Sequence, residues 1–126
     1  MFRKDKKVPT TIKCNRGDKG GIVFQKRNKT TGELEKFNIG DIVIFSVKNN
    51  FAEKDAVIRK TVEVTEETDS VIFRLSKKDT TIGELIAEPV TYQYDIAVNE
   101  DVTLLGYDDD GPKYFIVYPE GSNDEW

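Results

Sequence analysis

Carboxylates are the chemically active side chains that this sequence offers in quantity. It contains 23 Asp and Glu residues, one cysteine (Cys14) and no histidine. Without histidine, the chain lacks the commonest general base, the commonest zinc ligand and the usual partner of a nucleophilic Ser or Cys. Hydrolysis by paired carboxylates is the remaining enzymatic alternative, but nothing in the sequence places two carboxylates in one apolar pocket. We therefore expect no enzymatic activity, no metal site and no cofactor.

The single cysteine predicts a fold that does not depend on an oxidising compartment. One thiol cannot form an internal disulfide. Cys14 follows Ile12 in a strand-like run, so we interpret it as a small buried hydrophobic residue rather than a nucleophile.

The tripeptide Arg16-Gly17-Asp18 matches the motif that integrins read. The same residues suit a tight turn, because Gly17 supplies backbone freedom and Asp18 can accept hydrogen bonds from amides that follow it. An adhesion role would also require secretion, and we expect no signal peptide. We predict a structural turn here, with integrin binding as the alternative.

Three consecutive carboxylates, Asp108-Asp109-Asp110, precede Gly111 and suggest a calcium loop. Calcium sites need six to eight oxygen ligands, usually from alternating positions of a longer loop. Three adjacent side chains cannot all point at one ion, so a solvated acidic turn is the favoured interpretation and calcium binding the alternative.

The charge is unevenly distributed along the chain. Residues 1–36 carry a net charge of +7, residues 37–78 are neutral, and residues 79–126 carry −11. Either the two ends lie together in the fold and neutralise each other, or the surface is bipolar and favours head-to-tail association. The net acidity and the scarcity of aromatic residues in the basic segment argue against nucleic acid as a partner. No apolar run is long enough for a membrane span.

The elements that must position these residues are β-strands, because the dominant hydrophobic period is two. The run Val90–Val98 is the clearest strand, with Tyr92 and Tyr94 on one face and Asp95 on the other. About seven to eight short strands, separated by turns every 8 to 15 residues, predict a β-sandwich or barrel. Tyr92 or Tyr94 is a candidate for a tyrosine corner, in which a buried hydroxyl pins a loop.

Several stretches in a fixed order resemble the N-terminal domain of baseplate upper proteins from siphophages and prophages of Gram-positive bacteria. They are Ile12–Asp18 with its Arg-Gly-Asp, Ile22–Phe24, Asp41–Val47, Tyr92–Ile96, Gly106–Lys113 and Val117–Gly121. The order and spacing of these stretches carry the resemblance, which covers about residues 10–121. We expect one domain over 1–126, with tails at 1–9 and 122–126. The family usually continues into a linker and further domains, and this sequence stops at Trp126.

The resemblance implies an Ig-like antiparallel β-sandwich with a structural role in a tail baseplate and no catalysis. Arg16, Gly17 and Asp18 would then form a turn typical of the family, and Tyr92, Tyr94 and Asp95 a structural strand. The implied partners are other tail proteins or further copies of the chain, with no nucleic acid or membrane. The implied location is the virion tail, after assembly in the bacterial cytoplasm.

The alternative function is that of an independent Ig-like module that binds a cell-surface glycan or protein. Aromatic side chains on the face of a β-sandwich can form a platform for carbohydrate. Seven aromatic residues of the last third are candidates for such a platform: Tyr92, Tyr94, Tyr107, Tyr114, Phe115, Tyr118 and Trp126.

Overall fold

Eight β-strands and one short helix make up the computed structural model, which describes residues 11–28, 30–50, 54–83 and 87–119. The elements are β1 (Thr11–Asn15), β2 (Gly20–Gln25), β3 (Ile42–Lys48), β4 (Ile58–Glu63), β5 (Ser70–Leu75), α1 (Lys77–Thr80), β6 (Val90–Val98), β7 (Val102–Leu105) and β8 (Lys113–Tyr118). The prediction of a β-rich chain with seven to eight short strands is confirmed. The predicted tails, 1–9 and 122–126, lie outside the described residues.

The strands form two sheets. The main sheet has the order β1-β8-β6-β3-β4, with β7 beside β6, and the small sheet consists of β2 and β5. Sequence analysis predicted an antiparallel sandwich, and here the structure differs: β1 pairs with β8 in parallel, and the mixed main sheet curls into a half-barrel. Parallel neighbours require a crossover connection. Here the connection between β1 and β8 contains all the other elements: the chain passes from β1 to β2 in the small sheet and returns to pair β8 with β1 only after the other strands of the main sheet.

The central strand of the main sheet, β6, follows the alternation expected from its sequence. Tyr92, Tyr94, Ile96 and Val98 are buried, whereas the residues between them face outward and are more exposed. The strand is long enough to pair with β3 on one side and with both β8 and β7 on the other. The pairing with β7 shifts register between Ile96 and Ala97, which marks a β-bulge.

The two sheets meet at a cluster of aromatic rings. Phe45 of β3 is completely buried, and its ring centroid lies 5.5 Å from that of Phe73 in the small sheet. The rings of Tyr94 and Phe115, in neighbouring strands of the main sheet, lie 5.6 and 6.1 Å from Phe45. Tilted rings at these separations attract each other beyond the gain from burying their area. Phe45 is therefore the residue that connects β5 with the three central strands.

One end of the main sheet is fixed by a buried carboxylate. Asp41 Oδ2 accepts a hydrogen bond from the amide of Asn38, and Asp41 Oδ1 accepts one from Asn99 Nδ2. Asn99 in turn accepts from the amide of Ile42 through its side-chain oxygen. Asn99 and Glu100 have φ values of 55° and 62°, in the left-handed region that suits a tight turn between antiparallel strands. These bonds hold the β6–β7 turn against the start of β3.

The helix α1 begins at a capped first turn, and its N-cap is Ser76. Ser76 Oγ accepts a hydrogen bond from the amide of Asp79, and the Asp79 carboxylate accepts from the amide of Ser76. This reciprocal capping box satisfies donors at the start of the helix.

Asp79 also links α1, which follows the small sheet, to the main sheet, because its carboxylate lies 2.8 Å from Lys60 Nζ of β4. Burial by itself would raise the pKa of Asp79, but hydrogen bonds from Lys60 and Ser76 outweigh burial and hold the pKa below its usual value. A carboxyl whose pKa is lower in the folded state stabilises the fold above the unfolded pKa, and this stabilisation is lost as pH falls through the folded pKa.

We expect Asp79→Ala to lower the free energy of unfolding by about 1–2 kcal/mol at neutral pH, because it removes the carboxylate half of the capping box together with the ion pair. The difference from wild type should shrink as the pH falls from about 4, the usual pKa of an Asp carboxyl, through the lower pKa of the folded state. Urea denaturation followed by circular dichroism over a series of pH values measures this. Lys60→Met is the matched control that removes only the ion pair. A difference that does not depend on pH would contradict the assignment.

Candidate functional site

The Arg-Gly-Asp stretch forms a turn that joins distant parts of the fold. Gly17 has a φ of 88°, in the left-handed region that glycine adopts readily. The amide of Arg16 donates to the carbonyl of Tyr118, and Asn15 Nδ2 donates to that of Pro119. The turn therefore continues the pairing of β1 with β8 beyond the end of both strands.

The side chain of Arg16 reaches the connection between α1 and β6. Its Nε donates to the carbonyl of Ile82 at 3.3 Å, and its Nη2 donates to that of Gly83 at 3.1 Å. From the last residue of α1, the buried Thr80 donates its hydroxyl to the backbone carbonyl of Asp18 at 2.6 Å. Both ends of the tripeptide are thus bonded to residues more than 60 positions away. Arg16, Gly17 and Asp18 are all partly buried.

The two tyrosines of β6 are buried on the core side. Burial raises the pKa of Tyr94 strongly, so its hydroxyl stays protonated in the folded protein. Burial also raises the pKa of Tyr92, although the nearby charge of Arg16 acts in the opposite direction. A Cβ atom at Gly83 would lie 3.3 Å from the Tyr92 hydroxyl. Tyr92 therefore lies close to the loop that leads into its own strand.

Asp95 lies on the opposite, outward face of β6, where it pairs across the strands with Ser46. Its half-buried position raises the pKa of the carboxyl, while the charges of Lys48 and Arg59 lower it. Gly106 fits closely beside it, since a Cβ atom there would lie 3.2 Å from the Asp95 Cβ. The structure thus places the three predicted residues of β6 on two faces, and it does not bring Asp95 together with the tyrosines.

The three consecutive aspartates form a tight turn that is organised by the first of them. The amides of Asp108 and Gly111 each donate to the other residue's carbonyl, and Asp108 Oδ1 accepts from the amide of Asp110. The same Oδ1 lies 2.8 Å from Lys113 Nζ, so a cation of the chain itself contacts this carboxylate. Asp109 and Asp110 are exposed. The described residues contain no group of three or more potential ligands among His, Cys, Asp and Glu that could hold a metal ion.

Lys113 is a feature that sequence analysis missed. It occupies the first inward position of β8, in line with Phe115 and Val117, and only 3% of its surface is exposed. Its ammonium group lies against Asp108 Oδ1 and the carbonyl of Gly111. The alternation of β8 carried a signal for this position, because the inward face of Tyr114–Tyr118 extends backward onto Lys113. A buried lysine is rare unless it is paired.

The only cysteine lies in the core on β1. Cys14 is fully buried, and desolvation raises the pKa of its thiol to about 12. A thiolate is the reactive form of cysteine, so this environment makes the side chain inert. Within the described residues, no helix has the length and hydropathy needed to cross a bilayer.

We expect Cys14 to react with iodoacetamide about a thousandfold more slowly in the native protein than in urea, because a pKa near 12 leaves few thiolates at pH 8 and burial blocks access. Mass spectrometry of samples quenched over time measures both rates. A surface cysteine introduced at Thr61 is the matched control and should be labelled quickly in both states. Equal rates at Cys14 in the native and the unfolded protein would contradict the buried placement.

Comparison with known protein families, with curated proteins and with solved structures finds no match to this chain.

Proposed function

We propose that this chain is a non-catalytic structural component of a phage or prophage tail baseplate, and that it acts through protein–protein contacts. Its location would be the virion tail, after assembly in the bacterial cytoplasm. Its partners would be other tail proteins or further copies of itself, with no nucleic acid, membrane or cofactor involved. The proposal starts from the resemblance in sequence and from what the residues of that resemblance do in the fold.

The observation that carries the proposal is the pair of hydrogen bonds that the Arg16 side chain makes within the fold. Its guanidinium group donates to two backbone carbonyls of the α1–β6 connection, and the backbone carbonyl of Asp18 accepts from the hydroxyl of Thr80. A motif that recurs in a family for structural reasons should make contacts of this kind. An adhesion motif should instead present its Arg and Asp side chains to solvent. The bonds of Arg16 therefore favour the structural role over integrin binding.

The order of the strands supports the proposal that the fold is an Ig-like sandwich. In such domains one sheet contains the third, sixth and last strands of the set, and the other contains the second and fifth. The main sheet here has β8, β6 and β3 side by side with β4 added at the edge, and the small sheet has β2 and β5. This grouping is consistent with a variable-type arrangement in which β1 lies beside the last strand.

Two further features support the same fold. Antibody domains place a Trp on the third strand against an inter-sheet disulfide. Phe45 on β3 packs against Phe73 of the other sheet, so in this chain an aromatic pair joins the two sheets. Tyr92 on β6 has its hydroxyl beside Gly83 in the preceding connection, as a tyrosine corner would.

The location of the chain in virions tests the proposal directly. The bacterial strain that encodes the chain is treated to induce its prophages, and the released particles are labelled with an antibody against the chain and gold. We expect gold particles at the distal end of the tails and none on capsids. Detection of the chain in whole cells by blotting, with no labelled particle in the lysate, would overturn the proposal.

The alternative, a module that binds a cell-surface glycan, is favoured by two exposed aromatic residues. Tyr107 is 66% exposed and Tyr114 is 39% exposed, and both lie on the β7–β8 side of the main sheet. A glycan array probed with the purified chain separates the two functions. The baseplate proposal expects no specific binding. A specific glycan hit that is lost in Tyr107→Ala and retained in Tyr118→Phe would favour the alternative.

A further inference from the structure

The outer side of the small sheet combines an apolar pair with exposed cations. Val23 and Ile72 face each other across β2 and β5, and each is about two-fifths exposed. Arg74 lies on the same outward face, and the exposed Lys77 and Lys78 begin the helix α1 shortly after β5. We call this surface the basic face, and it consists of Lys19, Val23, Ile72, Arg74, Lys77 and Lys78. None of its four cations forms an ion pair with a described residue.

A second surface has the complementary composition. Two exposed turns flank β7, one between β6 and β7 and the other between β7 and β8, and both are acidic. The exposed apolar side chains Val102 and Tyr107 stand beside them. We call this surface the acidic edge, and it consists of Glu100, Asp101, Val102, Tyr107, Asp109 and Asp110. Glu100 lies 3.9 Å from Arg59, but Asp101, Asp109 and Asp110 form no ion pair with a described residue.

These two surfaces lie on different sheets. The basic face belongs to the outside of the small sheet, whereas the acidic edge belongs to the β7 side of the main sheet. Each surface offers an apolar centre with a charged rim, which is the general anatomy of a protein–protein interface. The signs of the two rims are opposite.

We propose that the basic face of one copy of this chain docks on the acidic edge of a second copy. Such a contact is heterologous, so repetition closes into a ring or continues as a filament. The inference deepens the proposed function and rests on it for its biological setting. A nucleic acid or an anionic membrane would be attracted to the basic face alone and would be repelled by the acidic edge.

Sedimentation velocity of the full chain over a range of concentrations tests the docking, at about 50 mM and about 500 mM salt. We expect concentration-dependent association at the lower salt and a dissociation constant about tenfold higher at the higher salt, because exposed charge pairs are screened. A monomer of 14.4 kDa at every concentration and both salt levels would overturn the proposal.

Charge reversal identifies the surfaces. One double variant, Lys77→Glu with Lys78→Glu, changes the basic face, and another, Asp109→Lys with Asp110→Lys, changes the acidic edge. Each alone should weaken association about tenfold or more, and an equimolar mixture of the two should restore it, because each variant retains the surface that the other lacks.

The matched control reverses two exposed cations outside both surfaces, Lys13→Glu and Lys54→Glu, with the same change in net charge as the basic-face variant. It should associate like wild type. Equal weakening in this control, or no recovery in the mixture, would overturn the assignment of the surfaces. The gold-labelling result is independent of this outcome, so failure of self-docking and failure of the baseplate proposal are distinguishable.

Discussion

Replacing Phe45 with alanine is expected to lower the free energy of unfolding by about 3–5 kcal/mol. The ring is completely buried and contacts three other aromatic rings, one of them in the other sheet. Its removal would leave a cavity between the sheets, which the surrounding strands can fill only in part. Since the free energy of unfolding of domains of this size is about 5–15 kcal/mol, the substitution should remove a large fraction of it.

Urea denaturation followed by circular dichroism measures the loss at Phe45. Phe45→Leu should cost less, because it preserves part of the packing. Phe24→Ala is the control at a partly buried ring, whose centroid lies 6.5 Å from that of Phe37. A loss below about 1 kcal/mol for Phe45→Ala, or one no larger than at Phe24, would contradict the central position of Phe45.

The ion pair of Lys113 and Asp108 should respond very differently to the loss of each partner. Asp108→Ala leaves a buried ammonium group with the Gly111 carbonyl as its remaining acceptor among the bonds described above, and we expect a loss of about 2–3 kcal/mol. Lys113→Met removes the buried charge and keeps an apolar chain of similar length, so its cost should stay within about 1 kcal/mol.

The same denaturation measurement compares the two variants in one buffer. Asp109→Ala, next to Asp108 in the same turn but exposed, is the matched control and should change stability by less than about 0.5 kcal/mol. If Asp108→Ala lowers the free energy of unfolding by no more than Asp109→Ala, then Lys113 does not depend on Asp108. The predicted difference between Asp108→Ala and Lys113→Met is then wrong.

The alternation of side chains along single strands was predictable because it is a local property. The inward positions Tyr92, Tyr94 and Ile96 could be identified from β6 alone, since a period of two assigns each residue to a face. The turn at Arg16–Asp18 was predictable for the same reason, because Gly17 allows a conformation that few residues adopt.

The pairing of distant strands was not predictable in this way. Nothing within Thr11–Asn15 reveals that β1 lies parallel to β8, because the choice depends on which sheet edge is vacant after the other strands have packed. The bonds of Arg16 to Ile82 and Gly83 depend on the same packing. The candidate docking surfaces likewise required the topology, since residues of the basic face come from two stretches, 19–23 and 72–78, that are far apart in the sequence.

The parallel pairing of β1 with β8 has a consequence for how the protein folds. Bonds at this edge join residues as far as 104 positions apart, as between Asn15 and Pro119. Contacts of such long separation slow folding, because a large loop must close before they form. On the ribosome, β1 emerges first and its partner nearly last, so this edge can form only after almost the whole described chain has been synthesised. Until β8 is in place, Ile12 and Cys14 lack the neighbouring strand that completes the burial of their side chains.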